Sequence, residues 1–411
     1  MPLLLLKTLW VLGFLHLIQS VLSLKGGFNF RRYLRRCQNA PAGDYAPYAA
    51  VIIPCKGVDE HFEENLTRYL TQDYPRYQVI LCVATRTDPA YGVLWKHVSH
   101  RLVRRGAGLS RITLEVAGLS DQRGEKVHNL LRGIEVADRD AQVLVFGDID
   151  ACPKPDWLRL LVAPLGRETV MVSTGFRWYL PGPSFASRLR AAWDTSIATM
   201  LGDHGRNFAW GGSMAIRKED FDRLEVADRY WARTVSDDYA LTRAVREAKG
   251  KIRFEPRCLV ASHGNLSLRE FFRWSSRQII ITRVYAPHLW RLGLMAHSLH
   301  CGTFVLGVLC LAWPGLGPRS FRAILALLLV LTLLGLSKGY MRTRLTWEMF
   351  PEEKSVLDPY GGCYWRLAPL VPWVMLWNFV VAGFSRRIEW RGTLYDLRSA
   401  SEVRVLRRGS S

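Results

Sequence analysis

Four apolar runs stand at the two ends of the 411-residue chain, and no stretch between residues 25 and 294 is apolar enough to cross a bilayer. That distribution constrains the fold more than any motif, because it separates membrane segments from one domain of ordinary size. The first run, residues 3–24, is broken only by Lys7 and a few polar residues and lacks a small-residue cleavage site. Lys25, Arg31, Arg32, Arg35 and Arg36 follow, which under the positive-inside rule places the amino terminus outside and residue 25 onward in the cytoplasm. The other runs cover residues 295–313, 321–336 and 367–384, the first two joined by the hairpin sequence PGLGPRS. The last contains Pro369 and Pro372 and precedes Arg386, Arg387 and Arg391. A fourth full span would carry those cations outside, so a re-entrant or interfacial segment is expected. The resulting plan is a transmembrane helix at 1–24, a cytoplasmic domain at 25–294, transmembrane or re-entrant helices at 295–385, and a basic carboxyl-terminal tail at 386–411.

Within the middle, strand-like runs at 49–54, 78–84, 111–116 and 143–147 alternate with helix-like segments at 60–70, 91–104 and 125–137. Strands alternating with helices of this length indicate successive βαβ units and a mostly parallel sheet, an α/β fold that binds ligands beyond the carboxyl ends of its strands. Residues 54–57, 85–88 and 148–150 would share that edge. Further strands are expected at 170–175 and 212–216, and further helices at 236–248 and 267–282.

Residues 143–153 read VLVFGDIDACP. Alternation along a strand sends Asp148 and Asp150 to one side and Ile149 to the other. Two like charges beside a hydrophobic strand are costly unless a cation lies between them. A divalent metal carrying a nucleotide diphosphate satisfies that demand, since Mg²⁺ is held by one or two carboxylates plus phosphate oxygens. An acidic turn after a strand is the plain alternative.

Other residues carry weaker signals. Asp88, in TRTDPAY, can accept from a uracil imide or a ribose hydroxyl, or can open an Asp-Pro turn. Lys126 opens a helix and can meet a phosphate or simply be solvated. Trp210-Gly211-Gly212-Ser213 lets backbone approach something closely. Ser236 and Asp237 suit a helix cap, whereas Asp238 is a second carboxylate at the same helix entrance and a candidate general base. In SLREFFRWSSRQIIIT, Arg273 and Arg277 lie one helical turn apart, as do Trp274 and Gln278. Paired guanidinium groups beside an indole suit a diphosphate and its attached base, or a basic helix resting on acidic lipid. The FRWY segment at 176–179 is a candidate receiver for a lipid, or packing.

Taken in order, LCVATRTDPA, GDID, WGGSMAIRK, SDDYALTRAVREAKGKIRF, the Arg-Trp segment and the terminal IEWRGTLYDL make the chain resemble the ceramide glucosyltransferase family. These are inverting glycosyltransferases of the A-type fold, with a Rossmann-like nucleotide-sugar-binding domain between terminal transmembrane helices. The resemblance covers nearly the whole chain and implies Asp88 as first aspartate, Asp148 and Asp150 as the metal-binding pair, and Asp238 as catalytic base. It implies a UDP-sugar donor with Mg²⁺ or Mn²⁺, and donor contacts from Lys126, Asp148 and the Arg-Trp segment. The family's pattern there is Gln or Arg, two residues, then Arg-Trp. Here Glu270 precedes Arg273-Trp274, and the alternative register ends in Arg277-Gln278, so both pairs remain candidates.

The implied reaction moves a hexose, glucose from UDP-glucose, to a lipid hydroxyl, with a ceramide-like acceptor favoured over a hopanoid, diacylglycerol or polyprenyl phosphate. A processive polysaccharide synthase would need more spans. The formal charge of +20 calls for anionic partners such as an acidic membrane surface, but the basic residues form no recognised nucleic-acid module. A non-catalytic membrane scaffold would not need carboxylates at 88, 148, 150 and 238. Eight scattered cysteines without a Cys-x-x-Cys pair suggest reduced thiols and no zinc site. Arginine outnumbers lysine, which favours a bacterial inner membrane, with the Golgi as the eukaryotic counterpart. The sequons at Asn65 and Asn265 would stay unmodified in a cytoplasmic domain.

Overall fold

The computed structural model describes residues 3–99 and 106–409. The chain opens with one helix, α1 (Leu3–Gln38). No proline interrupts it, and it continues through Gly26-Gly27 about four turns past the boundary expected at residue 24, carrying the basic cluster with it. Then come β1 (Ala49–Pro54), α2 (Phe62–Leu70), β2 (Tyr77–Val83), α3 (Pro89–Ser99), β3 (Leu109–Val116), α4 (Glu125–Glu135) and β4 (Val143–Gly147). The part of the expected second helix beyond Ser99 lies outside the described residues. The chain continues through α5 (Trp157–Val162), β5 (Val170–Tyr179), α6 (Phe185–Ala198), β6 (Ser213–Arg217), α7 (Lys218–Arg223), α8 (Asp237–Glu247) and β7 (Lys251–Ser262). Helices α9 (Leu268–Tyr285), α10 (Pro287–Leu311), α11 (Pro318–Met349), α12 (Lys354–Tyr360), α13 (Cys363–Arg366) and α14 (Val371–Phe384) follow. Strands β8 (Arg387–Trp390), β9 (Thr393–Ser399) and β10 (Glu402–Arg408) end it.

Two compact units emerge. One comprises Met1–Arg32, Tyr179–Met200 and His263–Ser385; the other comprises Tyr33–Trp178, Leu201–Ser262 and Arg386–Ser411. The division therefore cuts across the expected 25–294 domain, assigning α6 and α9 to the helical unit.

The second unit is built on a seven-stranded sheet of order β3-β2-β1-β4-β6-β5-β7. Strands β1 to β4 pair in parallel, as the βαβ reading requires, while β6 runs antiparallel to both β4 and β5. Strand β4 reads as an unbroken apolar run because both its faces are covered. Val143 and Val145 pack with Leu66, Tyr69 and Trp157 on one side, and Leu144 and Phe146 with Val127, Leu130 and Leu241 on the other. Each such buried side chain is worth roughly 1.5–3 kcal/mol, so the end of this strand is a rigid platform.

The segment expected to be a basic tail is instead a three-stranded antiparallel sheet, β10-β9-β8. Its arginines alternate with Ile388, Tyr395, Leu397 and Val403, all buried, and that period of two outweighs net charge in deciding structure.

In the helical unit α1, α10 and α11 are long and apolar enough to cross a membrane. Residues Lys354–Arg366 and Val371–Phe384 form a pair bent by 71°, so among the described residues the number of candidate spans is three, or four if that pair counts as one. With 14 residues, α14 is about 21 Å long against a hydrocarbon core of about 30 Å. Fully buried Asn378 on α14 ties three helices together: it accepts from Trp193 Nε1 of α6 and donates to Ser275 and Ser276 of α9, each at 3.1 Å. The eight cysteines form no disulfide; Cys152 is half-buried and the other seven are buried.

Candidate active site

The site begins where β4 stops. Three side chains hold the backbone of the Asp-Ile-Asp turn. Tyr69 Oη donates to the Asp148 carbonyl at 2.9 Å, Asn65 Nδ2 to that of Ile149 at 3.0 Å, and Ser262 Oγ to that of Asp150 at 3.1 Å. Asn65 and Tyr69 stand one turn apart on α2, which lets one helix face grip two successive peptides. Burial, reinforced by Asp148 and Asp150, pushes the Tyr69 hydroxyl well above its usual range and keeps it a donor. Ile149 is buried in the core while both aspartates face the other way, as alternation requires.

The two carboxylates converge on a single guanidinium. Arg177 Nη2 lies 3.0 Å from Asp148 Oδ2 and 2.6 Å from Asp150 Oδ1, and Arg177 Nη1 lies 3.1 Å from Asp150 Oδ2. Arg177 also sits 5.2 Å from the Trp210 ring centroid. Lys126 Nζ lies 2.9 Å from Asp148 Oδ1 and 3.3 Å from Asp237 Oδ2. Burial by itself would lower Lys126, but Asp148, Asp237 and Asp238 outweigh it and hold the amine above its usual range. Burial likewise favours a neutral Asp150, yet Arg177, Arg391 and Lys126 keep it well below the usual carboxylate range. Asp237 goes the other way: burial raises it to about 7, against Lys126 and with help from Asp238 and Asp148.

Strand register explains the paired glycines. Gly147 lies opposite Ser213, which brings the preceding Gly211-Gly212 backbone onto the carboxylates. A Cβ on Gly212 would fall 2.6 Å from Asp148 Oδ2, and one on Gly211 would fall 2.1 Å from Asp237 Oδ2. Asp238, at the start of α8, is half-buried. Its Oδ1 accepts from the Tyr239 amide at 2.7 Å and from the Ser236 hydroxyl, so one carboxylate oxygen is fixed by the helix entrance. Asp88 is buried, and its Oδ1 accepts from the amides of Gly57 at 2.8 Å and Ala90 at 2.9 Å. It therefore joins the loop after β1 to the start of α3, which is the turn-forming role.

The second unit thus brings Asp88, Lys126, Asp148, Asp150 and Asp238 to one sheet edge. Arg273, Trp274, Arg277 and Gln278 lie on α9 in the helical unit, where Trp274 packs edge-on against Trp193 and Tyr179 at 5.0 and 5.3 Å. The FRWY aromatics are packing: Phe176, Trp178 and Tyr179 are all buried. Sequence reasoning missed Arg177, whose signal was a charge inside an otherwise apolar strand. It also missed Arg391, in the turn between β8 and β9, whose Nη2 lies 3.5 Å from Asp150 Oδ2.

A model described as Glycosyl transferase family 21 matches residues 8–403. A ceramide glucosyltransferase from Komagataella phaffii is 24% identical over 140 residues, 33% of this chain and 26% of that protein. One from Gibberella zeae is 35% identical over 71 residues, 17% of this chain and 13% of that protein. The matched part is thus about a quarter or less of these relatives' lengths. Among solved structures, a mannosyltransferase from Pyrobaculum calidifontis in complex with GDP-Man and Mn²⁺ has a TM-score of 0.47 at 17% identity, covering 92% of this chain and 97% of that one. A glucosyl-3-phosphoglycerate synthase from Mycobacterium tuberculosis has a TM-score of 0.37 at 16% identity, covering 61% and 81%. With the mixed α/β sheet, the carboxylates at its edge and a family match over nearly its whole length, the chain belongs to glycosyl transferase family 21.

Proposed function

We propose that the protein is a membrane-bound inverting glycosyltransferase that moves glucose from UDP-glucose to the hydroxyl of a ceramide-like lipid, with its catalytic unit on the cytoplasmic face. The observation carrying this reading is the convergence of Asp148 and Asp150 on one positively charged group, beside Lys126 and Asp238. Two carboxylate oxygens at 3.0 and 2.6 Å from one nitrogen mark a place fitted to a cation. Oxygen donors alone suit Mg²⁺ or Mn²⁺. Among the described residues no group of three or more His, Cys, Asp or Glu side chains could hold a metal, so Asp148 and Asp150 would hold the ion as a pair. A divalent cation held there supplies charge stabilisation to the departing nucleoside diphosphate.

The chain's own residues do the rest. Lys126 adds fixed positive charge where the leaving group gains negative charge. Asp238, with one oxygen held by Ser236 and Tyr239, takes the proton of the acceptor hydroxyl through the other. Attack from the face opposite the diphosphate inverts the anomeric centre. Asp88 offers its second oxygen to the uridine moiety. An acidic lipid surface and a basic chain of +20 are complementary.

The test is UDP release by the membrane-embedded protein from a panel of UDP-sugars, with ceramide, diacylglycerol, a hopanoid and a polyprenyl phosphate as acceptors. Release requiring both a divalent metal and ceramide is expected. Release with another lipid alone would reassign the acceptor, and no release from folded protein would overturn the reading.

A further inference from the structure

The carboxyl-terminal hairpin sends a second guanidinium into the same carboxylate pair. Arg391 Nη1 donates to the Lys56 carbonyl at 2.7 Å, and Nη2 lies 3.0 Å from Asp59 Oδ2 and 3.5 Å from Asp150 Oδ2. One side chain thus touches the loop after β1 and the end of β4, two of the strand ends that form the site. Arg391 and Gly392 are the two residues between β8 and β9, with φ of 44° and 80°. Positive φ at both central positions defines a tight hairpin turn that suits Asn, Asp or Gly at the first position. An arginine there carries a backbone penalty that glycine escapes.

Structural need does not account for that choice. Arg177 already satisfies both oxygens of Asp150 through its fork, so Arg391 is surplus for that carboxylate. Its closer partner, Asp59, has a half-exposed side chain, and the Arg391 side chain is 35% exposed; ion pairs of this kind contribute little stability. Docking of the hairpin rests on other contacts as well: Arg408 donates to the Ser120 carbonyl at 2.8 Å and pairs with Asp121 at 2.7 Å, and the Glu125 amide donates to Tyr395 Oη at 3.3 Å. A costly backbone position, a partly exposed cation and a place beside the cation-binding carboxylates together indicate a ligand with more negative charge than the protein supplies.

We infer that Arg391 is a binding residue for the diphosphate of the nucleotide donor, which makes the β8–β10 sheet part of the donor site. The inference rests on the glycosyltransferase reading above and extends it to a segment remote in sequence from every other site residue. Arg391→Asn is the informative variant, because Asn suits the turn and should leave the fold intact while removing the cation.

The full-length protein, in lipid nanodiscs with Mn²⁺, is titrated calorimetrically with UDP and with uridine. Arg391→Asn should weaken UDP binding about 10- to 100-fold, the loss of one charge-assisted contact, while leaving uridine affinity and melting temperature unchanged. Arg391→Lys should recover part of the UDP affinity. Arg408→Ala, which loosens the sheet away from the carboxylates, should bind UDP normally. Equal weakening of UDP and uridine, unchanged UDP binding in Arg391→Asn, or an equal defect in Arg408→Ala would overturn the inference and leave the transferase reading standing. Failure of the unaltered protein to bind UDP would overturn both.

Discussion

Asp148, Asp150 and Asp238 differ in how their charge is held, and that difference sets what each can do. Asp148 and Asp150 are locked by Arg177 and Lys126, whereas Asp238 has one oxygen tied to a helix entrance. Asp238→Asn preserves that amide contact and removes the proposed base. It should lower kcat by about 10²- to 10⁴-fold without changing affinity for UDP, checked by turnover and titration. Gly212→Ala places a carbon against the Trp210 ring and 2.6 Å from Asp148 Oδ2, in the turn just before β6, so both side chains must shift. It should cut turnover by at least about 10²-fold and weaken Mn²⁺ binding measured by electron paramagnetic resonance, with the circular dichroism spectrum unchanged. That Asp148 and Asp150 share one side was legible because the strand-like run before them sets their direction. Arg177 and Arg391 were not, since they reach Asp150 from 27 and 241 residues away. Local sequence carries no record of such partners.

At the level of elements, β4 and α2 form the mounting of the site. Asn65, the asparagine of the first sequon, is buried and donates to the Ile149 carbonyl. Asn65→Ala strands that carbonyl in the core and should cost about 1–3 kcal/mol, seen as a lower urea midpoint, with a matching fall in turnover as the aspartates lose their fixed backbone. The βα alternation up to β4 was legible from periodicity alone. The reversal of β6 was not, because an antiparallel strand buried on both faces reads like a parallel one. In β8–β10 the alternating apolar residues were masked by seven arginines between Arg386 and Arg408. The last apolar run reads as re-entrant from the cations that follow it, and its bend falls beside Pro369, while Pro372 lies in the first turn of α14 where proline is tolerated.

For the molecule as a whole, three helices long and apolar enough to cross a membrane carry a direct expectation. The protein should stay in the membrane pellet after alkaline carbonate extraction, where a surface-bound protein of +20 charge would be released. Hydropathy gave that plan but placed its borders at the ends of apolar runs. The compact units instead follow packing, which draws α6 and α9 into the helical unit. The cysteine pattern also acquires a use at this scale. Seven thiols are buried, and the half-buried eighth, Cys152, follows Asp150 by two residues. The chain should therefore behave as its own labelling reagent target: under native conditions a small maleimide should modify one site per chain, Cys152, as read by mass spectrometry. UDP with Mn²⁺ should slow that modification, giving an occupancy probe for the donor site that needs neither an acceptor lipid nor a substituted residue.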